Sequence, residues 1–302
     1  MKKIIYNIIK YPLILIFIKT PLINILKKRF KYHRLLIKNR NIIYLVLDIL
    51  FEREYFSKLK NKEEIRELTS STLIDGEGRK WAQHYYDGHF QTLDELKKRR
   101  IGTMSANDAL PIFEKMINFI KSNNLSDDEN TYIIQLGSSS GRDLEFFKKI
   151  FPKLNYISTD VSDEILNFQK EKYNQSNLKY FKCYAEDIDE CINYFNISNK
   201  NIILFSSGSL QYVNPFFLED FFSKLRNYKK LNLFISDPVS LLFMKNKKGM
   251  SAHRGNISFS HRYDEYAKNS NLNIIECQVI RPYSTDDKQH RHTGHFDLQI
   301  SN

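Results

Sequence analysis

Four short stretches of this chain combine small residues with acids or amides at spacings that could hold a nucleotide-like ligand. The first is Gln135-Leu136-Gly137-Ser138-Ser139-Ser140-Gly141-Arg142-Asp143, which follows the apolar Tyr132-Ile133-Ile134 and leads into a helical pattern. Glycine at 137 and 141 lets the backbone turn sharply and lets a ligand approach to van der Waals contact, with Ser138 and Ser139 between them. The second ends at Asp160, 19 residues beyond Gly141, where a carboxylate is placed to accept both ribose hydroxyls of a nucleoside. The third, Tyr184-Ala185-Glu186-Asp187, offers two acids where the base would lie. The fourth, Phe205-Ser206-Ser207-Gly208-Ser209-Leu210-Gln211-Tyr212, is a small-residue loop in which Ser207 can form a site wall. Each feature also has a structural reading. The glycines close a strand–helix turn in any α/β fold, Asp160 or the better-suited Ser162 caps the next helix, and Glu186 and Asp187 favour a helix start electrostatically.

Further along stand residues able to move a proton. Asp237 in Ser236-Asp237-Pro238, His253 in Ser251-Ala252-His253-Arg254-Gly255, and His261 are candidate catalytic bases for a hydroxyl acceptor. Solvated-loop or helix-cap roles are the alternatives for each. His290-Arg291-His292, with Asp286 and Asp287 nearby, matches no closed zinc spacing, and no metal site is assigned. Trp81, His84, Tyr85 and Tyr86 fit either a lid or an aromatic helix packed on a sheet.

The elements that must position these groups alternate regularly. Apolar runs at Tyr132–Leu136, Asn155–Thr159, Leu178–Cys183, Ile202–Phe205 and Leu231–Ile235 read as strands. Helical patterns lie between them at Asp143–Ile150, Asp163–Tyr173, Asp187–Phe195 and Pro215–Tyr228. Strands separated by helices imply βαβ units and a parallel sheet covered on both faces, with the four loops at one edge. The tail departs from this rhythm. A Gly/Ser/Asn-rich loop over Asn246–Ser260 and a helix over His261–Ser270 precede strands at Asn273–Val279 and His295–Ile300. With no crossover helix between them, the last two strands must pair antiparallel. Upstream, Asn41–Leu59 and about Asn107–Lys121 read as helices.

Charge is distributed unevenly. Residues 1–40 carry 11 Lys/Arg and no acid, whereas the 35 other basic residues are balanced by the chain's 35 acidic ones. The net charge of +11 therefore belongs to the arm, and the neutral body has no global field for nucleic acid. The arm is also apolar, but its longest uninterrupted run, Tyr11 to Ile18, is far short of the roughly 20 residues that span a bilayer. Apolar stretches edged by Lys/Arg suit an interfacial segment on anionic lipid; packing on the domain, a poorly ordered terminus, and a true span or uncleaved signal anchor are the alternatives. Three cysteines without framework spacing fit reduced thiols.

With its loops and closing antiparallel pair, the stretch from Thr131 to Ile300 resembles the class I, Rossmann-like S-adenosylmethionine-dependent methyltransferases. The resemblance implies that Gly137, Ser138, Ser139 and Gly141 hold the cofactor, that Asp160 takes the ribose, that Glu186 or Asp187 lies beside adenine, and that Ser207 lines the methyl-donor floor. Gln135 stands where that family usually has an acid, and Ser139 replaces its middle glycine. The Ser-Gly-Ser-Leu-Gln-Tyr run before a Pro-initiated helix also resembles a group of bacterial methyltransferases associated with surface glycans.

The expected organisation is a basic apolar arm (1–40), a helical cap or lid region (41–125) and a methyltransferase domain (126–302). The fold class expected is α/β, a Rossmann-like seven-stranded mixed sheet with an antiparallel last strand, preceded by an N-terminal helical region. The expected reaction is methyl transfer from S-adenosylmethionine to a hydroxyl of a membrane-associated acceptor, such as a lipid-linked or surface glycan, on the inner face of the cytoplasmic membrane. Rival readings are a methyltransferase for a protein or small soluble molecule, a nicotinamide-dependent Rossmann enzyme, and a catalytically silent membrane scaffold.

Overall fold

A computed structural model describes Glu63, Arg66, Ala82, Gln83 and residues 110–302, apart from 174–175, 247–248, 256–257 and 281–292. The basic arm, Trp81, the His84–Tyr86 group and the His290–His292 group thus lie outside the described residues. Two compact units divide the chain, residues 1–73 with 255–258 and residues 74–254 with 259–302. The main sheet belongs to the second.

That sheet has seven strands in the order β3-β2-β1-β4-β5-β9-β8: β1 (Thr131–Leu136), β2 (Asn155–Asp160), β3 (Leu178–Lys182), β4 (Asn201–Ser207), β5 (Leu231–Ser240), β8 (Asn273–Ile280) and β9 (Thr293–Ser301). β1 to β5 run parallel, and β9 lies antiparallel between β5 and β8. The chain moves from β1 outward to β2 and β3, then returns to place β4 on the other side of β1. That reversal opens a crevice at the carboxyl ends of β1 and β4, the place where open α/β sheets receive ligands.

The strands read as nearly continuous apolar runs because both faces are covered, yet alternation still sorts the side chains. Ile133, Ile203, Phe205 and Phe234 face one core, shared with Ile112, Phe113 and Met116 of α1 (Leu110–Ser122) and Phe147 of α2 (Arg142–Ile150). Ile134, Leu204, Leu233 and Leu298 face the other. It is shared with Ile188 and Ile192 of α4 (Ile188–Tyr194), Phe221 and Phe222 of α5 (Pro215–Leu225) and Tyr266 of α7 (Tyr263–Asn269). In the first core Phe113, Phe147 and Phe205 meet edge to face, with ring centroids 5.2–6.4 Å apart. α1, expected as part of the upstream helical region, is therefore integral to the packing of the sheet.

Two expectations for the tail are corrected. Residues 246–260 are not simply a loop: β6 (Ser251–Gly255) and β7 (Ser258–His261) form a separate two-stranded sheet after the short α6 (Leu241–Asn246). His261 lies in β7, and the helix begins only at Tyr263. Ser251-Ala252-His253-Arg254-Gly255 contains no β-branched or large apolar residue, so strand-like alternation is hardly visible there. β5 also runs five residues further than the apolar run suggests, because antiparallel pairing with β9 continues to Ser240↔Thr293. Among the described residues no helix is long and apolar enough to cross a membrane.

Candidate active site

The turn after β1 is built on two glycines that no other residue could replace without displacement. Gly137 (φ 62°) and Gly141 (φ 75°) occupy left-handed backbone conformations. A Cβ on Gly137 would meet the Ser209 side chain at 2.5 Å, and one on Gly141 would meet Tyr173 at 2.9 Å and Gln169 at 3.0 Å. Ser139, between them, is also left-handed (φ 49°), an unusual and strained state for a residue with a side chain.

A polar clamp holds this turn from below. Gln169, fully buried on α3 (Asp163–Lys172), donates to Ser138 Oγ at 2.8 Å and to the Ser139 carbonyl at 2.7 Å. Ser158 on β2 donates to Gln169 Oε1 at 2.5 Å and lies 2.6 Å from Ser138 Oγ. Thr159 donates to the Gln135 carbonyl at 2.7 Å, and the Ser138 amide donates to the Thr159 carbonyl at 2.9 Å. The turn is thus tied to β2 and α3 before any ligand arrives, and this preorganisation reduces the ordering needed on binding.

Asp160 ends β2 with 6% exposure. Its Oδ2 accepts the Ser139 amide at 3.1 Å and its Oδ1 accepts the Ser162 amide at 3.1 Å. Burial pushes its carboxyl up to about 6, against the pull of the Ser139 and Ser162 amides, which favour the charged form. Ser162, not Asp160, caps α3: its hydroxyl accepts from the Ile165 amide. Relieved of that duty, Asp160 is left facing the glycine turn.

Gln135 is buried and donates through Nε2 to Asp143 Oδ2 at 2.8 Å. An acid, Asp143, thus stands beside position 135 in the first turn of the next helix. Asp143 escaped the sequence reading because an acid in a first helical turn has an ordinary explanation in the helix dipole. Gln135 Oε1 and Ser139 Oγ are shut off from solvent without a hydrogen-bond partner. Orphaned polar atoms at a strained, preorganised turn suit a ligand with polar groups of its own.

Glu186 and Asp187 are buried in a 3-10 turn, Ala185–Asp187, following β3. Ser207 ends β4, half-buried, and Gly208 beyond it donates to the Ser236 carbonyl at 2.9 Å. Ser209 donates to the Gly137 carbonyl at 2.9 Å, so the loop after β4 directly touches the turn after β1. The glycine turn, Asp160 and the loop after β4 are therefore assembled at one edge, with the 185–187 turn following the neighbouring strand.

The three candidate bases fare differently. Asp237 is fully buried, and Tyr263 donates to its Oδ2 at 2.7 Å. His261 is fully buried, its Nδ1 2.6 Å from Ser251 Oγ, which lies 2.7 Å from the Tyr266 hydroxyl. Burial holds its imidazole down to about 3, so it is neutral at any ordinary pH. These partners tie Asp237 to α7 and His261 to β6 and, through Ser251, to α7. His253 stands in β6, and its side chain lies outside the described residues. Among the described residues no group of three His, Cys, Asp or Glu side chains could hold a metal ion.

No family model matches the sequence, and no curated protein is matched. Solved structures do match. One is a protein of Galdieria sulphuraria put forward as a sarcosine dimethylglycine methyltransferase. It has 8% identity and a TM-score of 0.49, with 74% of this chain and 97% of that one covered. A SAM-dependent methyltransferase of Anabaena variabilis shows 12% identity and a TM-score of 0.45, over 74% and 94% of the two chains. A TehB-like SAM-dependent methyltransferase of Corynebacterium glutamicum shows 10% identity and a TM-score of 0.45, over 76% and 99%. Identity this low and TM-scores below 0.5 leave the chemistry to be argued from this chain's own side chains.

Proposed function

We propose that the chain is a methyltransferase that binds S-adenosylmethionine across the carboxyl edge of its sheet and transfers the methyl group to a hydroxyl. One observation carries this reading: the buried Asp160 carboxylate meets the Ser139 amide inside the Gly137–Gly141 turn, at the point where the sheet order reverses. A carboxylate so placed accepts ribose hydroxyls, while the turn supports the amino-acid end of the same molecule. Gln135 Oε1 and the Asp143 carboxylate are the acceptors for an ammonium, and Ser139 Oγ is a spare partner for the carboxylate. Glu186 or Asp187 lies on the adenine side, and Ser207 with Gly208 forms the floor beside the reacting centre.

When bound, the cofactor supplies an electrophilic methyl group on a sulfonium. The protein's task is then to hold an acceptor in line with it, and most of the rate comes from that positioning. The finer reading places the acceptor at a membrane. A basic, apolar arm on a neutral body supports interfacial binding to anionic lipid, and a lipid-linked or surface glycan is the acceptor class we assign. The decisive experiment is titration of the full chain with S-adenosylhomocysteine by calorimetry, with NAD in parallel. Binding of the first and not the second is expected; NAD binding alone, or binding of neither, overturns the reading.

A further inference from the structure

Arg254, the penultimate residue of β6, carries a guanidinium that its described surroundings leave incompletely satisfied. Among the described residues its Nη2 donates to the side-chain oxygen of Gln211, a neutral partner. Its Nε is shut off from solvent and has no partner. No carboxylate of the described residues lies in ion-pair contact with it, although Asp237 acts on it electrostatically from a distance. Burial lowers its affinity for the proton, a sign that the charge is held where water solvates it poorly. A poorly solvated cation whose described hydrogen-bond partner is an amide rather than a carboxylate is costly, and proteins rarely keep one without an anion to meet it.

Its position says which anion. Gln211 lies in the 3-10 turn Leu210–Tyr212 that follows β4, and its amide donates to the Gly208 carbonyl at 2.5 Å. Ser209, next to Gly208, is bonded to Gly137 of the cofactor turn. Arg254 is therefore two side chains away from the turn proposed to hold the cofactor, on the β4–β5 side of the crevice. That is the side away from β2 and β3, where the ribose and base would lie. The guanidinium fork of Nε and Nη2 matches the spacing of two oxygens of a carboxylate or phosphate. One of those two donors is vacant, and the other is held by an amide that an oxyanion can displace.

We propose that Arg254 is the anion anchor of the acceptor subsite, and that the acceptor carries an oxyanion, a carboxylate or a phosphate, close to the group that is methylated. This rests on the methyltransferase reading, whose failure shows separately as absence of S-adenosylhomocysteine binding.

The test titrates the full chain, with and without saturating S-adenosylhomocysteine, with sodium phosphate and with sodium acetate, against sodium chloride at matched ionic strength. Calorimetry and the thermal unfolding midpoint are the readouts. Wild type is expected to bind one of the two anions saturably beyond the chloride control, phosphate tighter for a phosphorylated acceptor and acetate tighter for a carboxylate. Arg254→Met is expected to weaken that binding by roughly tenfold or more, and Arg254→Lys by a smaller factor because it keeps charge but not the fork. Gln211→Ala, which removes the competing amide, is expected to tighten it. The anchor is overturned if wild type binds neither anion beyond chloride, or if Arg254→Met binds as wild type does. Should Arg254→Met not fold, unchanged anion affinity in both Arg254→Lys and Gln211→Ala overturns it instead.

Discussion

Asp160 concentrates the chemistry of the candidate site in one carboxyl group. Its folded-state pKa, about 6, lies above the ordinary 3.8, so ionising it opposes folding. That opposition is absent below the ordinary value and fully present above about 6. A nucleoside whose hydroxyls donate to the ionised form offsets it, so S-adenosylhomocysteine should bind more weakly as pH falls from 7 to 5. Calorimetry across that range should find the midpoint near 6 in wild type and a flat profile in Asp160→Asn. Asp160→Ala should lose about tenfold to a hundredfold in affinity, the worth of hydrogen bonds to a charged group; an unchanged affinity would remove Asp160 from the site. Gln135 offers a second test at this scale. Gln135→Glu sets two carboxylates against each other because Asp143 is already there. It should destabilise the fold by roughly 1–2 kcal/mol at pH 7 in urea unfolding, with the loss shrinking at pH 4 as the pair takes up a proton.

At the level of elements, the glycine turn is held by contacts that cross three of them. Gln169 on α3 reaches Ser138 and Ser139 after β1, and Ser158 on β2 completes the clamp. Gln169→Leu keeps the volume of the side chain roughly but strands the Ser139 carbonyl and leaves the Ser138 hydroxyl with Ser158 alone. It should cost about 1–3 kcal/mol in urea unfolding and weaken S-adenosylhomocysteine binding as the turn loosens. Intact affinity in that variant would show that the turn needs no support from α3. Nothing in the sequence points to Gln169. A glutamine within an amphipathic helix reads as solvated, and its partner Ser138 is 31 residues away. The Asp163–Lys172 helix and its Ser162 cap, by contrast, are legible, because spacing and capping chemistry act within a few residues. β6 is not, since Ser, Ala, His, Arg and Gly offer none of the branched or large apolar side chains that announce a strand.

For the whole molecule, charge and packing belong to different parts of the chain. The excess of positive charge belongs to residues 1–40, while the body is neutral. Replacing Lys27, Lys28, Arg29 and Lys31 with Ser in the full chain should reduce flotation with liposomes containing anionic lipid, since each basic residue near such a surface contributes about 1 kcal/mol. It should leave S-adenosylhomocysteine affinity intact; unchanged flotation would remove the membrane from the proposal. The amino-acid order by itself determined the alternation of strands and helices, the parallel core, the antiparallel final pair and the positions of the loops after β1, β2 and β4 that make up the candidate site. Those signals are local, written in periods of two and 3.6 residues and in glycines that alone tolerate the required turn. Only the tertiary structure decided that Asp237 and His261 are walled in, that Asp143 stands beside Gln135, and that Arg254 is left with an amide for a partner. Burial and electrostatic pairing depend on which distant segments pack together, and no spacing along the chain encodes them.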